Sequence, residues 1–258
     1  MTRARKVGIG TLVLVPNALD FGSSAPGDLS AQLPLAVIQR AAALEHWVVE
    51  NAKTARVFLK RVALVAPLAA PLQALHIAEF PRTAGAGGAE LLPLLQPAQA
   101  GNDIGVLSEA GLAAVADPGA ALVARAHALG IAVDPLPGAS SLLLALAASG
   151  LNGQQFAFVG YLPVVDDARA ARIRELDLQS KRSGQTQIAI ETPYRNGAML
   201  EALVASCQPG TLVCVATDLS LATETVRTQT AAQWKAQLGA GKAPDFHKKP
   251  TVFLFLAQ

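Results

Sequence analysis

Two successive strand-to-helix turns built from small residues constrain this chain more than any other feature. The first runs Gly105-Val-Leu-Ser-Glu-Ala-Gly-Leu-Ala-Ala-Val-Ala-Asp-Pro-Gly119, the second Pro135-Leu-Pro-Gly-Ala-Ser-Ser141. The pattern reads as a buried strand, a Gly-bearing loop, a Pro-Gly entry to a helix, a second strand, and a Pro-Gly loop into a second helix. Bare backbone N–H groups then collect at neighbouring strand ends, the edge of an open α/β sheet where small ligands bind. The first turn also carries the Ser108 hydroxyl and the Glu109 carboxylate, and the second the hydroxyls of Ser140 and Ser141.

Strands and helices alternate along the rest of the chain, which predicts an α/β fold with a mainly parallel N-terminal sheet. Strands are expected over 11–15, 46–50 and 75–80, and helices over 33–44, 53–62 and 90–99. Residues 17–30 form a polar Gly/Ser/Pro loop, a candidate mobile lid. The cluster Gly85-Ala-Gly-Gly88 lacks a strand directly before it and reads as a turn, not a phosphate cradle. Beyond the second turn come a buried helix over 142–148 and a turn at Asn152-Gly153. Strands follow over 156–160, 187–191, 212–217, 224–228 and 251–256, with helices over 168–181, 198–206 and 231–238. Two strands without a helix between them predict a mixed second sheet. Arg169, Arg172, Arg174, Lys181 and Arg182 concentrate charge in this half, as a solvated helix face or an RNA contact would.

The chain's 258 residues suffice for one large or two ordinary domains. Apolar residues make up 52% and charged ones 16%, which excludes a disordered chain. A formal net charge of +2 argues against a large nucleic-acid footprint but leaves room for a local basic patch. Cys207 and Cys214 lack metal-ligand spacing and read as reduced small hydrophobes of a cytoplasmic protein. His46, His76, His127 and His247 are scattered, so no metal is expected. Arg3, Arg5 and Lys6 ahead of the apolar run 7–15 mimic a secretory signal. Gly8 and Gly10 interrupt that run, however, and Pro26 follows the one small-residue site, so a buried first strand accounts for the same residues. No apolar run approaches the roughly 20 residues that span a bilayer.

Five ordered motifs then narrow the reading: Ser108-Glu-Ala-Gly-Leu-Ala113, Ala116-Asp-Pro-Gly119, Pro137-Gly-Ala-Ser-Ser141, Ser149-Gly-Leu-Asn152 and Gly160-Tyr-Leu-Pro163. A sixth, Ile190-Glu-Thr-Pro-Tyr-Arg195, follows. Together they resemble the tetrapyrrole-methylase superfamily of S-adenosylmethionine-dependent methyltransferases, and within it the small-subunit rRNA ribose 2'-O-methyltransferases of the I type. Two segments depart from that pattern. The first strand ends Val15-Pro-Asn-Ala-Leu19 where the family has Thr-Pro-Ile-Gly-Asn, and Glu50-Asn-Ala-Lys53 stands for its Glu-Asp-Thr-Arg. Both belong to the substrate half of the family's cleft.

The resemblance implies two α/β/α domains, residues 1–152 and 153–258, with a cofactor cleft between them, and a homodimer. It implies S-adenosylmethionine contacts at Pro16, Leu107, Ser108, Glu109 and Gly111, at Ser140 and Ser141, and at Glu191, Leu219, Pro250 and Thr251. Methyl transfer from a sulfonium is an in-line displacement with an excellent leaving group, so positioning carries it and no metal or covalent nucleophile is needed. If the acceptor is a hydroxyl, Glu50 or Lys53 would deprotonate or orient it. The implied acceptor is an rRNA ribose 2'-hydroxyl of the small ribosomal subunit. A porphyrin-like or other small molecule, and a cofactor-binding paralogue without catalysis, are the alternatives the residues leave open. Lys53, Arg56, Lys60 and Arg61 at helical spacing would supply a basic rim for phosphates, or merely a wet helix face. Asp117 serves equally as a helix cap ahead of Pro118, and Ser140 as a cap of the following helix.

Overall fold

The computed structural model describes residues 8–20, 27–81 and 89–258, so the Gly85–Gly88 turn lies outside it. The chain divides into two compact units, Met1–Ala139 and Ser140–Gln258.

The first unit is a wholly parallel five-stranded sheet: β1 (Thr11–Val15), β2 (His46–Val49), β3 (His76–Glu79), β4 (Ile104–Leu107) and β5 (Ala132–Pro135), in the order β3-β2-β4-β1-β5. Strand side chains alternate between faces, and both faces are covered. Val13, Val15, Trp47, Val49 and Leu107 pack against helices α1 (Leu35–Ala42) and α2 (Ala52–Val65). On the other face Leu12, Val48, Ile104 and Val106 pack against α3 (Leu92–Gln99) and α4 (Gly119–Ala128). Burial on two sides is why these strands read as continuous apolar runs. Gly105 is dictated by packing, since a Cβ there would lie 2.7 Å from the Trp47 ring. The chain leaves β1 toward one face and β4 toward the other, although the two strands are neighbours. That reversal is a topological switch point, and it opens a crevice at the strands' C-terminal ends.

The second unit holds a mixed sheet: β6 (Phe156–Tyr161), β7 (Thr186–Ile190), β8 (Leu212–Thr217), β9 (Thr225–Thr230) and β10 (Thr251–Leu256), in the order β6-β7-β10-β8-β9. Only β6 and β7 pair in parallel. Helices α6 (Asp166–Ser183), α7 (Asn196–Ser206) and α8 (Ala231–Gly239) cover one face, where Phe253, Phe255 and Trp234 lie at the centre. Helix α5 (Ser141–Ser149) covers the other through Ala145 and Leu146, packed with Ile188, Cys214, Val252 and Leu254.

Helix α5 falls within the first domain expected to end at residue 152; its apolar contacts are with the second core, and the compact units divide at Ala139/Ser140. It is also half-exposed, not buried, with Leu143 and Leu144 at 50% and 40% exposure. The start of the expected mobile loop is anchored: Asn17, Ala18, Leu19 and Asp20 are buried, and Arg61 grips the Asp20 carboxylate at 3.0 and 2.7 Å. Residues 21–26 of that loop lie outside the described set.

The cysteines are free and buried, and burial beside Asp177 pushes the Cys207 thiol up. The histidines are less scattered than they read. Pairing of β2 with β3 stacks His46 on His76, ring centroids 4.7 Å apart. No helix among the described residues is long and apolar enough to cross a membrane.

Candidate active site

At the switch point the chain following β1 meets the chain following β4. Asn17 and Gly111 exchange backbone bonds (Asn17 N–H to Gly111 O, 2.8 Å; Gly111 N–H to Asn17 O, 3.2 Å). The buried Asn17 amide also donates to the carbonyls of Ser108 (3.0 Å) and Glu109 (3.1 Å), and its oxygen accepts from Ala18 N–H (2.9 Å). One side chain thus fixes the course of a loop some 90 residues away. Gly111 has φ +72°, a left-handed conformation that glycine adopts without cost. Ala114 (φ 66°) and Ala116 (φ 61°) adopt it despite their Cβ atoms. Asp117 holds that strained stretch, accepting from Ala114 N–H (2.9 Å) and Gly119 N–H (2.7 Å). Its carboxylate therefore caps α4 in effect, although Pro118 occupies the N-cap position. Among the described residues no protein acceptor faces the N–H groups of Ala110, Leu112 or Ala113. Backbone donors are left over where a ligand would lie.

The structure brings Pro16, Leu107, Ser108, Glu109 and Gly111 together at this crevice, with Glu50 beside them. Ser108 is buried, its hydroxyl turned to the carbonyls of Ala110 (3.2 Å) and Gly111 (3.4 Å). Glu109 donates its N–H to the exposed Glu50 carboxylate (3.2 Å), and its own carboxylate accepts from the Thr54 hydroxyl (2.7 Å). Burial, reinforced by the Glu50 charge, holds the Glu109 carboxyl above its usual range, while Thr54 pulls it down. Helix α2 starts here, capped by Asn51 onto Lys53 N–H (2.8 Å) and by Glu79 onto Ala52 N–H (2.7 Å). Lys53 stands apart from this group, on the exposed side of α2. The second turn closes on the first strand's end: a Cβ on Gly138 would lie 2.3 Å from Pro16 Cβ, so no other residue lets the loop pass so near.

In the second unit, Ser140 is the N-cap of α5, but its hydroxyl makes no capping bond. Ser141 opens the helix and is half-buried. Glu191, Leu219, Pro250 and Thr251 gather at one end of the second sheet. The register pairing Ile190 with Val252 sets Glu191 opposite Thr251, and Asp218 N–H donates to Pro250 O (3.0 Å). Glu191 is buried; it accepts from Thr192 N–H (2.7 Å) and pairs with Arg195 (3.1 Å). Leu219 sits between two left-handed residues, Asp218 (φ 52°) and Ser220 (φ 69°), strain of the kind stored at functional sites. Thr251 is buried and bonded through its hydroxyl to Lys249 O (3.1 Å). Beside it Asn196, which composition alone does not single out, donates to Phe246 O (2.8 Å), Lys249 O (2.9 Å) and Thr251 Oγ1 (3.1 Å).

Residues 25–234 match the model of the Tetrapyrrole (Corrin/Porphyrin) Methylases. The chain belongs to the tetrapyrrole methylase family. Among curated proteins, it is 31% identical over 214 residues to a ribosomal RNA small subunit methyltransferase I of Mesorhizobium japonicum, covering 83% of this chain and 68% of that protein. A protein of the same name from Micromonospora olivasterospora is 33% identical, covering 79% and 58%. That of Pseudomonas aeruginosa is 39% identical over a shorter stretch, 41% of this chain and 35% of the relative. The chain thus spans about a third to two thirds of the length of these relatives. In fold it matches the methyltransferase CobJ (TM-score 0.55, 19% identity, 97% and 94% covered). It likewise matches a uroporphyrin-III C-methyltransferase of Thermus thermophilus complexed with S-adenosylhomocysteine (TM-score 0.56, 17% identity, 95% and 97% covered).

Two residues that organise strand-end loops in this methylase, one in each unit, were not picked out from its sequence: Asn17 and Asn196. A polar side chain directly after Pro16, where the family carries Ile, is the one signal that marks Asn17.

Proposed function

We propose that this methylase transfers a methyl group from S-adenosylmethionine to a ribose 2'-hydroxyl of small-subunit ribosomal RNA. The observation that carries the reading is the switch-point crevice, where Asn17 fixes a loop whose N–H groups at 110, 112 and 113 face no acceptor among the described residues. Those donors, with Ser108, Glu109 and Gly111, suit the polar edges of an adenosyl and methionyl ligand. The Gly138 turn closes on Pro16 at the same strand end. In the second unit the proposed cofactor contacts are Ser140, Ser141, Glu191, Leu219, Pro250 and Thr251. The relatives' names support the RNA acceptor.

The cofactor supplies a methyl carbon on a sulfonium. Transfer of that methyl to a ribose oxygen, with sulfur as the leaving group, would require the hydroxyl proton to be taken up. Glu50, exposed and held at 3.2 Å by the Glu109 N–H, is positioned to take it. Lys53, one turn along, orients the ribose phosphate. The exposed Phe156, Phe158 and Tyr161 of β6 and Leu143 of α5 fit a homodimer, and the free cysteines a cytoplasmic protein.

Titration calorimetry with S-adenosylmethionine, then methyl incorporation into under-methylated small subunits, tests the reading. Cofactor binding with labelled 2'-O-methyl ribose is expected. Absence of binding overturns it, and methylation of a porphyrin but not of subunits replaces the acceptor. Unchanged turnover in Glu50→Gln removes Glu50 from the step.

A further inference from the structure

We propose that the outer face of α2 is a phosphate track, which binds single-stranded RNA beside the nucleotide being methylated. This inference rests on the RNA reading above and adds the surface that reads the strand. Helix α2 carries Lys53, Arg56, Lys60 and Arg61 and no acid. Its buried side is Ala55, Phe58, Leu59 and Val62. Opposite, Lys53, Val57, Lys60 and Leu64 follow one another at spacings of 4, 3 and 4, one stripe on a helix of 3.6 residues per turn, with Arg56 flanking. All five are exposed, Leu64 at 87% and Val57 at 53%.

Three facts separate this stripe from an ordinary wet face. Lys53, Arg56 and Lys60 pair with no carboxylate among the described residues, whereas Arg61 is committed to Asp20 and takes no part. Lys53 lies in the first turn, where the helix dipole disfavours a cation, so its placement has no local benefit. The stripe also begins three residues after Glu50, on the exposed side of the helix that follows β2, and Lys53 to Lys60 covers about 10 Å, or about three stacked nucleotide steps of a strand. Helix α6 shows the contrast: its five cations are interleaved with four acids, Arg169 holding Asp166 and Arg172 holding Glu175. Val57 and Leu64 supply apolar ground between the cations for sugars or bases.

The test compares Arg56→Gln/Lys60→Gln with Lys181→Gln/Arg182→Gln, which removes the same charge from the exposed end of α6. For the first pair, the KM for under-methylated subunits should rise about tenfold at unchanged kcat, and the slope of log affinity against log salt should fall by about 1.4. Cofactor affinity and the thermal midpoint should stay at wild-type values, and Arg56→Lys/Lys60→Arg should restore the KM. The α6 pair should leave every value in place. If wild type methylates subunits while the α2 pair matches it in KM and salt slope, the track is wrong and the function stands. Equal weakening by both pairs overturns the track in favour of net charge. Loss of binding to anionic vesicles, with RNA binding intact, overturns it in favour of a membrane surface. If wild type methylates no RNA, the track falls together with the reading beneath it.

Discussion

Each unit ties down a strand-end loop with one buried asparagine, and the two solutions differ in what they leave open. Asn17 uses its amide completely: two carbonyls accept from its nitrogen, and a backbone N–H donates to its oxygen. The loop so held still presents N–H groups that no group among the described residues takes up. Asn196 instead closes a network. Its nitrogen serves three acceptors around residues 246–251, and its own oxygen is buried without a partner among the described residues. The first unit thus spends its asparagine on shaping a surface, and the second on sealing one. Ligand affinity should therefore be more sensitive at Asn17, and stability more sensitive at Asn196.

The largest effect is expected from Asn196→Ala. It removes a donor from three acceptors, Phe246 O, Lys249 O and Thr251 Oγ1, from a side chain only 1% exposed, and each such hydrogen bond contributes about 1–1.5 kcal/mol. The lost buried carbonyl oxygen offsets part of this, so the loss in urea unfolding should be about 3 kcal/mol. Cofactor affinity, measured on the fraction still folded, should change by less than about threefold. A stability loss below about 1 kcal/mol would break the contrast, since the network would then be able to re-form without its hub.

Asn17→Ala comes next. It should cost about 2 kcal/mol in stability but weaken S-adenosylmethionine by more than about tenfold, because the 108–111 loop loses its register at the crevice. Calorimetry on both variants gives the comparison directly. Equal affinity losses at the two asparagines would mean that the open donors of the first unit are not what the ligand uses.

This asymmetry was only half legible in the sequence. Apolar runs and Gly/Pro punctuation marked β1, β2, β4 and both small-residue turns, because those signals are local and repeat along the chain. The mixed second sheet followed from two strands without an intervening helix. The tie from Asn17 to Ser108 spans 91 residues and leaves no periodic trace. The same holds for Arg61 and Asp20, 41 residues apart, whose pairing turned one cation of an expected basic rim into a structural bond. Helix α5 misled for a different reason. A run such as Leu142-Leu-Leu-Ala-Leu146 is apolar all round, so periodicity cannot say which side meets a core, nor whose core it is.

A smaller effect sharpens the contrast at the start of that helix. Ser140 occupies the N-cap without a capping bond, so Ser140→Ala should cost less than about 0.5 kcal/mol, where a working cap costs about 1 kcal/mol. Cofactor affinity should still fall several-fold if, as proposed, the hydroxyl serves the ligand. A stability loss of about 1 kcal/mol with unchanged affinity would make Ser140 a cap after all.

The smallest effect is in stability at Glu109, and its sign is the informative part. Burial and the Glu50 charge raise this carboxyl above its ordinary value, against the pull of Thr54. A carboxyl raised in the folded state holds its proton more readily folded than unfolded. Its contribution to stability is therefore present at acid pH and is lost as pH climbs through the folded value. At neutral pH the wild type carries an ionised, partly desolvated group that the fold does not favour. Glu109→Gln keeps an acceptor for the Thr54 hydroxyl and removes that charge. Its thermal midpoint should exceed wild type at pH 7.5, and the difference should shrink toward pH 4. Cofactor affinity should move the other way, falling as the ligand's amino group or sulfonium loses its counter-charge. A residue that costs stability while supporting binding is kept for function. A midpoint below wild type at pH 7.5 would show instead that the Glu109 carboxylate is bonded for the fold's sake, and the open site of the first unit would then extend only over the backbone donors.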